Sequence, residues 1–363
     1  MTRPRRLLAA LLTALAGCLV LTAQAGASVP AGGGFGGQLT GVSCVTAGDC
    51  WAVGGTQTNV ALADHWNGST WSVVRLPAPR QAHSTELPAI SCSGVASCWA
   101  VGDYESVTTS KLLPYAVHWN GSAWSVVLLP HPAGAFVTTP VAVSCSGAAS
   151  CWAVGTAGSP AAPLLERWNG QVWAMARAPA ISAQADPLGV FCASAADCWV
   201  TGQNAKGGTL AAHWNGSTWS VTPAPTSGPT GDYLAYIACG GRDCVAVGGT
   251  SSRTLAERWD GSAWTVAPTG NAYARFGGLS CTARLHCVAT GNTIGGRAFS
   301  EVWNGSAWRI VWPQVPAGFA ASGLAGVSCV TAADCWSVGN KFDGVNITSL
   351  IEHWNGTAWS IVP

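Results

Sequence analysis

Charge is scarce in this chain. Only 9% of the 363 residues are Asp, Glu, Lys or Arg, and the formal net charge is +1. Lysine occurs at Lys111, Lys206 and Lys341 alone. So neutral a surface has no basic stripe for nucleic-acid phosphates and no attractor for anionic lipid, which excludes nucleic acid as a partner. Beyond the N-terminus no apolar run approaches the roughly 18 to 20 residues of a membrane helix, so no transmembrane span is expected. Glycine patterns of the P-loop or dinucleotide-binding type are missing from any strand-to-helix context, which removes a phosphate cradle. Only five tyrosines are present, Tyr104, Tyr115, Tyr233, Tyr236 and Tyr273.

What is abundant is apolar, aromatic and turn-forming: 48% hydrophobic residues, 20 Trp, 45 Gly, 20 Pro and 15 Cys. That content supports a large core and many short strands joined by turns. The first residues, MTRPRR, are basic, and Leu7 to Thr22 is apolar. Small residues from Ala23 to Ala27 follow, so residues 1–27 read as a secretory signal peptide, with a Gly-rich linker over 28–37. The tetrapeptide LAGC ending at Cys18 resembles a lipoprotein signal, and lipid anchoring at Cys18 is the alternative to a secreted, extracellular chain.

The other fourteen cysteines fall into seven regular pairs. These are Cys44 with Cys50, Cys92 with Cys98, Cys145 with Cys151, Cys192 with Cys198, Cys239 with Cys244, Cys281 with Cys287, and Cys329 with Cys335. An even count in an exported chain predicts disulfides. Cysteines flanking a tight turn would face each other across neighbouring strands, so each pair is expected within its own repeat. Structural zinc favours shorter spacings, and no metal is expected. The pairs recur at a period of roughly 40 to 50 residues, the mark of a β-propeller blade. Each repeat reads as four short strands. The expectation is an all-β, seven-bladed β-propeller over 38–363. Its blades lie at about 38–82, 86–132, 139–180, 186–225, 232–269, 275–314 and 323–363.

Every repeat also carries two tryptophans five apart around a turn, as in HWNGSTWS from His65 to Ser72. Asn-Gly is the preferred centre of a two-residue type I′ hairpin, since both residues tolerate positive φ. Whether the loop is two or four residues, pairing would leave Trp66 and Trp71 on one sheet face, where they can cover the seam between blades. Two residues before the first Trp, five repeats carry an acid: Asp64, Glu166, Glu257, Glu301 and Glu352. The next position is His or Arg in six repeats. Repetition favours a structural hydrogen bond or ion pair over paired catalytic carboxylates. Five Asn-Gly-Ser/Thr sequons, at Asn67, Asn120, Asn215, Asn304 and Asn355, follow from the turn chemistry, and Asn346 begins a sixth.

The stretch from Cys50 to Arg80 resembles kelch and galactose-oxidase-like repeats. It has an apolar strand ending in Gly54-Gly55, an aromatic third strand, a Trp opening the fourth, then Pro and Arg. The resemblance covers 38–363 and implies a propeller, in a family holding both enzymes and binding modules. The paired cysteines and the Trp-Asn-Gly turn depart from ordinary kelch units, and the chain looks closer to secreted bacterial propeller repeats of unassigned function. Galactose oxidase would need clustered Tyr and His copper ligands. His65, His118, His213 and His353 instead occupy one repeat position, which a propeller spreads apart. A sialidase-like turn is suggested by GSTW at Gly68 to Trp71, but Trp66 fills the Asp position and no arginine triad is evident. No cofactor and no catalytic residue are expected.

The two turns fixed by cysteine and tryptophan spacing share one face of a propeller. The other two connections share the opposite face and vary in length, and variable loops on a rigid scaffold are where function is usually placed. The longest are 102–119 and 339–354. They carry Asp103, Tyr104, Glu105, Lys111, Lys341, Phe342 and Asp343; with Arg80 and His83 these form the expected binding site, in the sector of blades seven, one and two. The expected function is a secreted, monomeric, non-catalytic module that binds an extracellular glycan or protein. A carbohydrate-active enzyme on the same face and a cell-surface scaffold are the alternatives.

Overall fold

A computed structural model describes residues 37–178, 180–225, 231–250, 253–270, 273–282 and 286–362. The expected signal peptide, Cys18 and most of the linker lie outside them. Every described element is a strand, and no described helix is long and apolar enough to cross a membrane. In the first blade β1 is Gly37–Thr46, β2 Asp49–Thr56, β3 Ala61–Trp66 and β4 Trp71–Arg75. They form one antiparallel sheet in chain order, and six more four-stranded sheets repeat it. Blades two to seven span 82–128, 138–175, 186–221, 233–266, 274–311 and 321–361. The protein is a seven-bladed β-propeller. Each sheet is built from one repeat, and the ring closes by packing Trp336 and Val338 of blade seven against Trp71 and Leu62 of blade one.

Cys44 and Cys50 are cross-strand partners flanking the tight β1–β2 turn. The same pairing joins Cys92 to Cys98, Cys145 to Cys151, Cys192 to Cys198, Cys239 to Cys244, Cys281 to Cys287 and Cys329 to Cys335. All seven pairs are disulfide-bonded, one per blade, with Cα atoms 3.9 to 4.0 Å apart. Spacing makes the two members of a pair equivalent flanks of a turn, but the structure separates them. The second cysteines, Cys50, Cys98, Cys151, Cys198, Cys244, Cys287 and Cys335, are all buried, at no more than 2% exposure. Five of the first cysteines, Cys44, Cys92, Cys145, Cys281 and Cys329, are only half-buried. The difference comes from strand position. The second strand of each blade is interior to its sheet and sandwiched by neighbouring blades, whereas the first is the edge strand beside the channel. The second cysteines are therefore core residues and offer nothing to a ligand.

The residue before the first cysteine ties the inner strands together. The Cys92 amide donates to Ser43 Oγ of the preceding blade at 3.0 Å, and Cys44, Cys145, Cys192 and Cys329 donate likewise to Ser328, Ser91, Ser144 and Ser280.

The hairpin tryptophans do cover the seams. Trp66 and Trp71 are direct cross-strand partners and lie 4.6 and 5.3 Å from Trp336 of blade seven. The third indole follows the second cysteine of the preceding blade. Trp51, Trp99, Trp152 and Trp199 receive the next blade's pair in the same way. Tilted and edge-on rings at these spacings add to the area they bury. Blades five and six have Val245 and Val288 there, so two seams carry a pair rather than a triad.

Of the two loop lengths, the structure has the four-residue one and not the type I′ form. Four residues, Asn67 to Thr70, separate the paired tryptophans, and only Gly68 has positive φ, at 92°. Asn67 acts through its side chain: Oδ1 accepts from the Ser69 amide, the Ser69 hydroxyl and the Thr70 amide at 2.8 to 3.0 Å. Asp260 repeats the pattern in blade five with a carboxylate. The turn therefore needs an oxygen there and not an amide. Asn67→Asp is expected to leave stability nearly unchanged, while Asn67→Ala should cost about 1–2 kcal/mol in urea unfolding.

The repeated acid and base part company, because adjacent strand residues face opposite sides. The base stays at the rim: His65, His213 and His353 reach Asp49, Asp197 and Asp334 at 2.8 to 2.9 Å, and Arg258 reaches Asp243 at 3.0 Å. The acid faces the preceding blade and is buried, with Glu166, Glu257, Glu301 and Glu352 at 0% exposure and Asp64 at 3%. Glu301 and Glu352 accept backbone amides of Gly270 and Gln314, and Glu257 accepts the Thr209 hydroxyl. These are hydrogen bonds between blades. Burial pushes the carboxyls of Asp64 and Glu352 up to about 7 and those of Glu166 and Glu257 to about 8.

Candidate binding surface at the channel mouth

The first strands of all blades line a central channel of about 460 Å³, and three consecutive residues from each supply its wall. In blade one these are Thr40, Gly41 and Val42. The wall carries no charged side chain. Where other blades place Gly or Ala, blade five places Tyr236, whose hydroxyl burial pushes up to about 12.

On the variable face each first strand enters with strict alternation. The residues seven and five before the first cysteine are buried in every blade, as Gly37 and Leu39 are in blade one. The residue between them opens toward solvent: Gln38, Glu86, Thr139, Asp186, Tyr233, Arg275 and Gly323. Four of these, Gln38, Glu86, Asp186 and Arg275, are exposed. Their cross-strand partners are Gly55, Asp103, Thr156, Gln203, Gly249, Asn292 and Asn340.

The glycine just before each partner explains the register. A Cβ on Gly54 would collide with the Gln38 carbonyl, and Gly102, Gly155, Gly202, Gly248, Gly291 and Gly339 meet the same obstacle. At that level the first strand bulges toward the second. Only glycine lets the two backbones approach so closely. The bulge thus holds two rings of residues, mostly polar and varied from blade to blade, around the channel mouth.

Two seams of this mouth are hollow, and the one between blades six and seven holds about 260 Å³ beside Asn292, Gly323 and Asn340. A cavity of about 230 Å³ lies between blades one and two and is lined by Gln38, Gly55, Gln57, Asn59, Glu86, Leu87 and Ile347, among others. Gly55 lines it and contributes no side chain. Its Cβ position has only the Val60 carbonyl nearby, at 3.8 Å. Blade five also has glycine at this position, Gly249, but the Tyr233 hydroxyl lies 3.0 Å from its Cβ position. The two Gly-Gly doublets therefore leave equivalent spaces, one filled by tyrosine and one open.

The sector of blades seven, one and two is where this cavity falls, yet none of the nine expected site residues lines it. Arg80 and His83 are exposed, at and just beyond the turn into blade two. Asp103, Tyr104 and Glu105 are half-buried strand residues. The long connections are extended hairpins rather than loops: pairing continues to Glu105 with Leu112 and to Phe342 with Ile347. Lys111 stands just before the return strand. Lys341 lies 4.8 Å over the Phe319 ring, and Asp343 Oδ1 accepts the amides of Val345 and Asn346 at 2.8 and 2.7 Å, which holds its carboxyl down. Tyr104 packs edge-on against Tyr115 at 5.9 Å. The structure brings Asp103 together with Glu86, its cross-strand partner, and burial, then the Glu86 charge, pushes Asp103 up to about 7. Among the described residues no three His, Cys, Asp or Glu side chains gather as a metal site.

No family model matches the chain, and no curated protein matches it. Solved structures do resemble it. "YCF48 bound to D1 peptide" superposes with TM-score 0.56 at 15% identity, over 86% of this chain and 92% of that one. The six-bladed lectin of Aleuria aurantia, described with a fucose recognition mode, gives 0.51 at 11%, over 77% and 98%. A family 25 polysaccharide lyase, ulvan lyase, bound to -[GlcA(1-4)Rha3S]-, gives 0.57 at 10%, over 93% and 98%. At such identities the likeness is one of fold, and it supports a β-propeller without extending to the kelch and galactose-oxidase-like families.

Proposed function

We propose that the protein is a secreted, non-catalytic binding module that holds an extracellular glycan or protein at the variable face, over the channel mouth. One observation carries the reading. Seven equivalent positions, six residues before each first cysteine, hold Gln38, Glu86, Thr139, Asp186, Tyr233, Arg275 and Gly323, while the residues on either side are buried throughout. A scaffold that repeats its packing yet differs at its exposed inner ring presents an asymmetric surface. The seven disulfides suit an oxidising compartment. Neighbours that bind fucose or a peptide show what such a scaffold can hold. The test is a glycan array and an extracellular-protein pull-down with wild type, an Asp186→Ala/Arg275→Ala variant and a constant-face Asn120→Ala variant. Loss of at least ~10-fold in affinity for the first variant alone supports the reading. Loss for the constant-face variant alone, or equal binding by all three, overturns it.

A second reading rests on the Glu86 and Asp103 pair. A carboxyl held protonated to near pH 7 beside a second carboxyl is suited to acid–base work on a sugar. Glycan turnover by wild type that is lost in Asp103→Asn would replace the binding-module reading with an enzyme.

A further inference from the structure

We infer that the cavity between blades one and two is a subsite for one neutral pyranose ring; this rests on the binding-module reading and names the ligand class for that face. At about 230 Å³ it lies below the ~300 to 1,000 Å³ of sites for drug-sized ligands, so it fits a single ring rather than an oligosaccharide. Its polar groups suit hydroxyls. The Gln38 and Asn59 side chains and the Glu86 carboxylate make no hydrogen bond among the described residues. Gln57 spends its Nε2 on the Ile347 carbonyl at 2.8 Å, which leaves Oε1 as an acceptor. Amides that donate and accept, with one carboxylate that accepts two bonds, match a pair of neighbouring sugar hydroxyls. Leu87, Pro88 and Ile347 supply an apolar wall for the C–H face of the ring.

The lining also rejects other ligands. It holds no Lys or Arg, and Glu86 would repel a uronate, sulfate or phosphate. Access is set at Gly55. Blades four, six and seven carry Gln203, Asn292 and Asn340 at the equivalent position, so this backbone accepts a polar side chain there. Gly55 has no positive φ and no close neighbour to its Cβ position. A side chain at this point therefore enters the cavity without straining the fold.

The experiment titrates the full chain with a panel of neutral methyl hexopyranosides and with methyl glucuronide, by saturation-transfer NMR and calorimetry. Saturable binding of at least one neutral glycoside is expected, with methyl glucuronide weaker by at least ~10-fold. Gly55→Asn should lose at least ~10-fold in affinity while its Tm stays within about 2 °C of wild type. Glu86→Gln should weaken neutral binding and narrow the gap to the glucuronide. No saturable neutral binding by wild type, unchanged binding by Gly55→Asn, or equal affinity for the glucuronide overturns the subsite. The wider reading fails separately, since it depends on the Asp186→Ala/Arg275→Ala variant. Array or pull-down binding lost in that variant but kept in Gly55→Asn would sink the subsite and leave the binding module standing.

Discussion

The protein should be several kcal/mol more stable at pH 5 than at pH 8.5. Asp64, Glu166, Glu257 and Glu352 are buried at blade seams and titrate near 7 to 8, where ordinary carboxyls titrate near 4. In the unfolded chain they ionise at the ordinary value. Between these limits the folded protein holds protons that the unfolded chain has released. Raising the pH through this window therefore favours unfolding. The stabilisation is complete below about pH 4 and is lost as the pH climbs through 7 to 8. One unit is worth about 1.4 kcal/mol, so Glu166 alone carries several kcal/mol as an upper bound before water enters the seam. His118, whose pKa burial lowers, acts in the opposite sense. Urea midpoints measured from pH 4.5 to 9 should fall steadily; a flat profile would show that the seams are wet.

Glu166 identifies the mechanism. Its sister residues Glu301 and Glu352 accept amides from Gly270 and Gln314, each six residues beyond the second Trp of the preceding blade. Before Glu166 that position is Pro130, which has no N–H, and both Glu166 oxygens lack a hydrogen-bond partner among the described residues. Blade two, which follows Pro77, carries Val117 in place of the acid. Glu166→Leu should thus raise stability at pH 8 by about 1–4 kcal/mol and flatten the pH profile. Glu352→Leu should gain less, because it strips the Gln314 amide of its acceptor.

The blade plan was readable because cysteine and tryptophan spacing report the two constant turns directly. Register followed from pairing, so the disulfides and seam aromatics could be placed without coordinates. Side-chain direction was harder. His65 and Asp64 are neighbours in sequence, yet one stacks on Trp51 at 4.2 Å and the other is buried on the opposite side of the strand. A period of two separates them, and a repeat pattern alone does not say which side meets which blade. The mouth ring was hidden for a related reason. Its signal, a position that varies six residues before each first cysteine, lies within strands and not in the long connections. Those connections stand out by length, but strand pairing absorbs the extra residues in blades two and seven. The bulge opposite Gly54 has no mark in the sequence beyond the glycine itself, which reads as the end of a strand.

Reducing the seven disulfides should unfold the protein under conditions where the oxidised form is stable. Each bond closes a loop spanning five or six residues, for which chain entropy contributes about 2 kcal/mol. Seven together rival the ~5–15 kcal/mol that holds a typical domain. The second cysteine of each pair also packs in a seam, as Cys50 does beside Trp336 and Val338, so loss of its sulfur removes contact between blades as well. Cys44→Ala/Cys50→Ala is expected to cost about 2–4 kcal/mol. Coupling between neighbouring blades then predicts how damage spreads. Stability in a repeat array is a sum of unit and interface contributions. Removing the blade-one bond weakens the seam with blade seven, so hydrogen exchange should quicken in blade seven before it does in blade four. Reduced and alkylated protein with the urea midpoint of the oxidised form would refute the assignment of this stability to the cross-strand bonds.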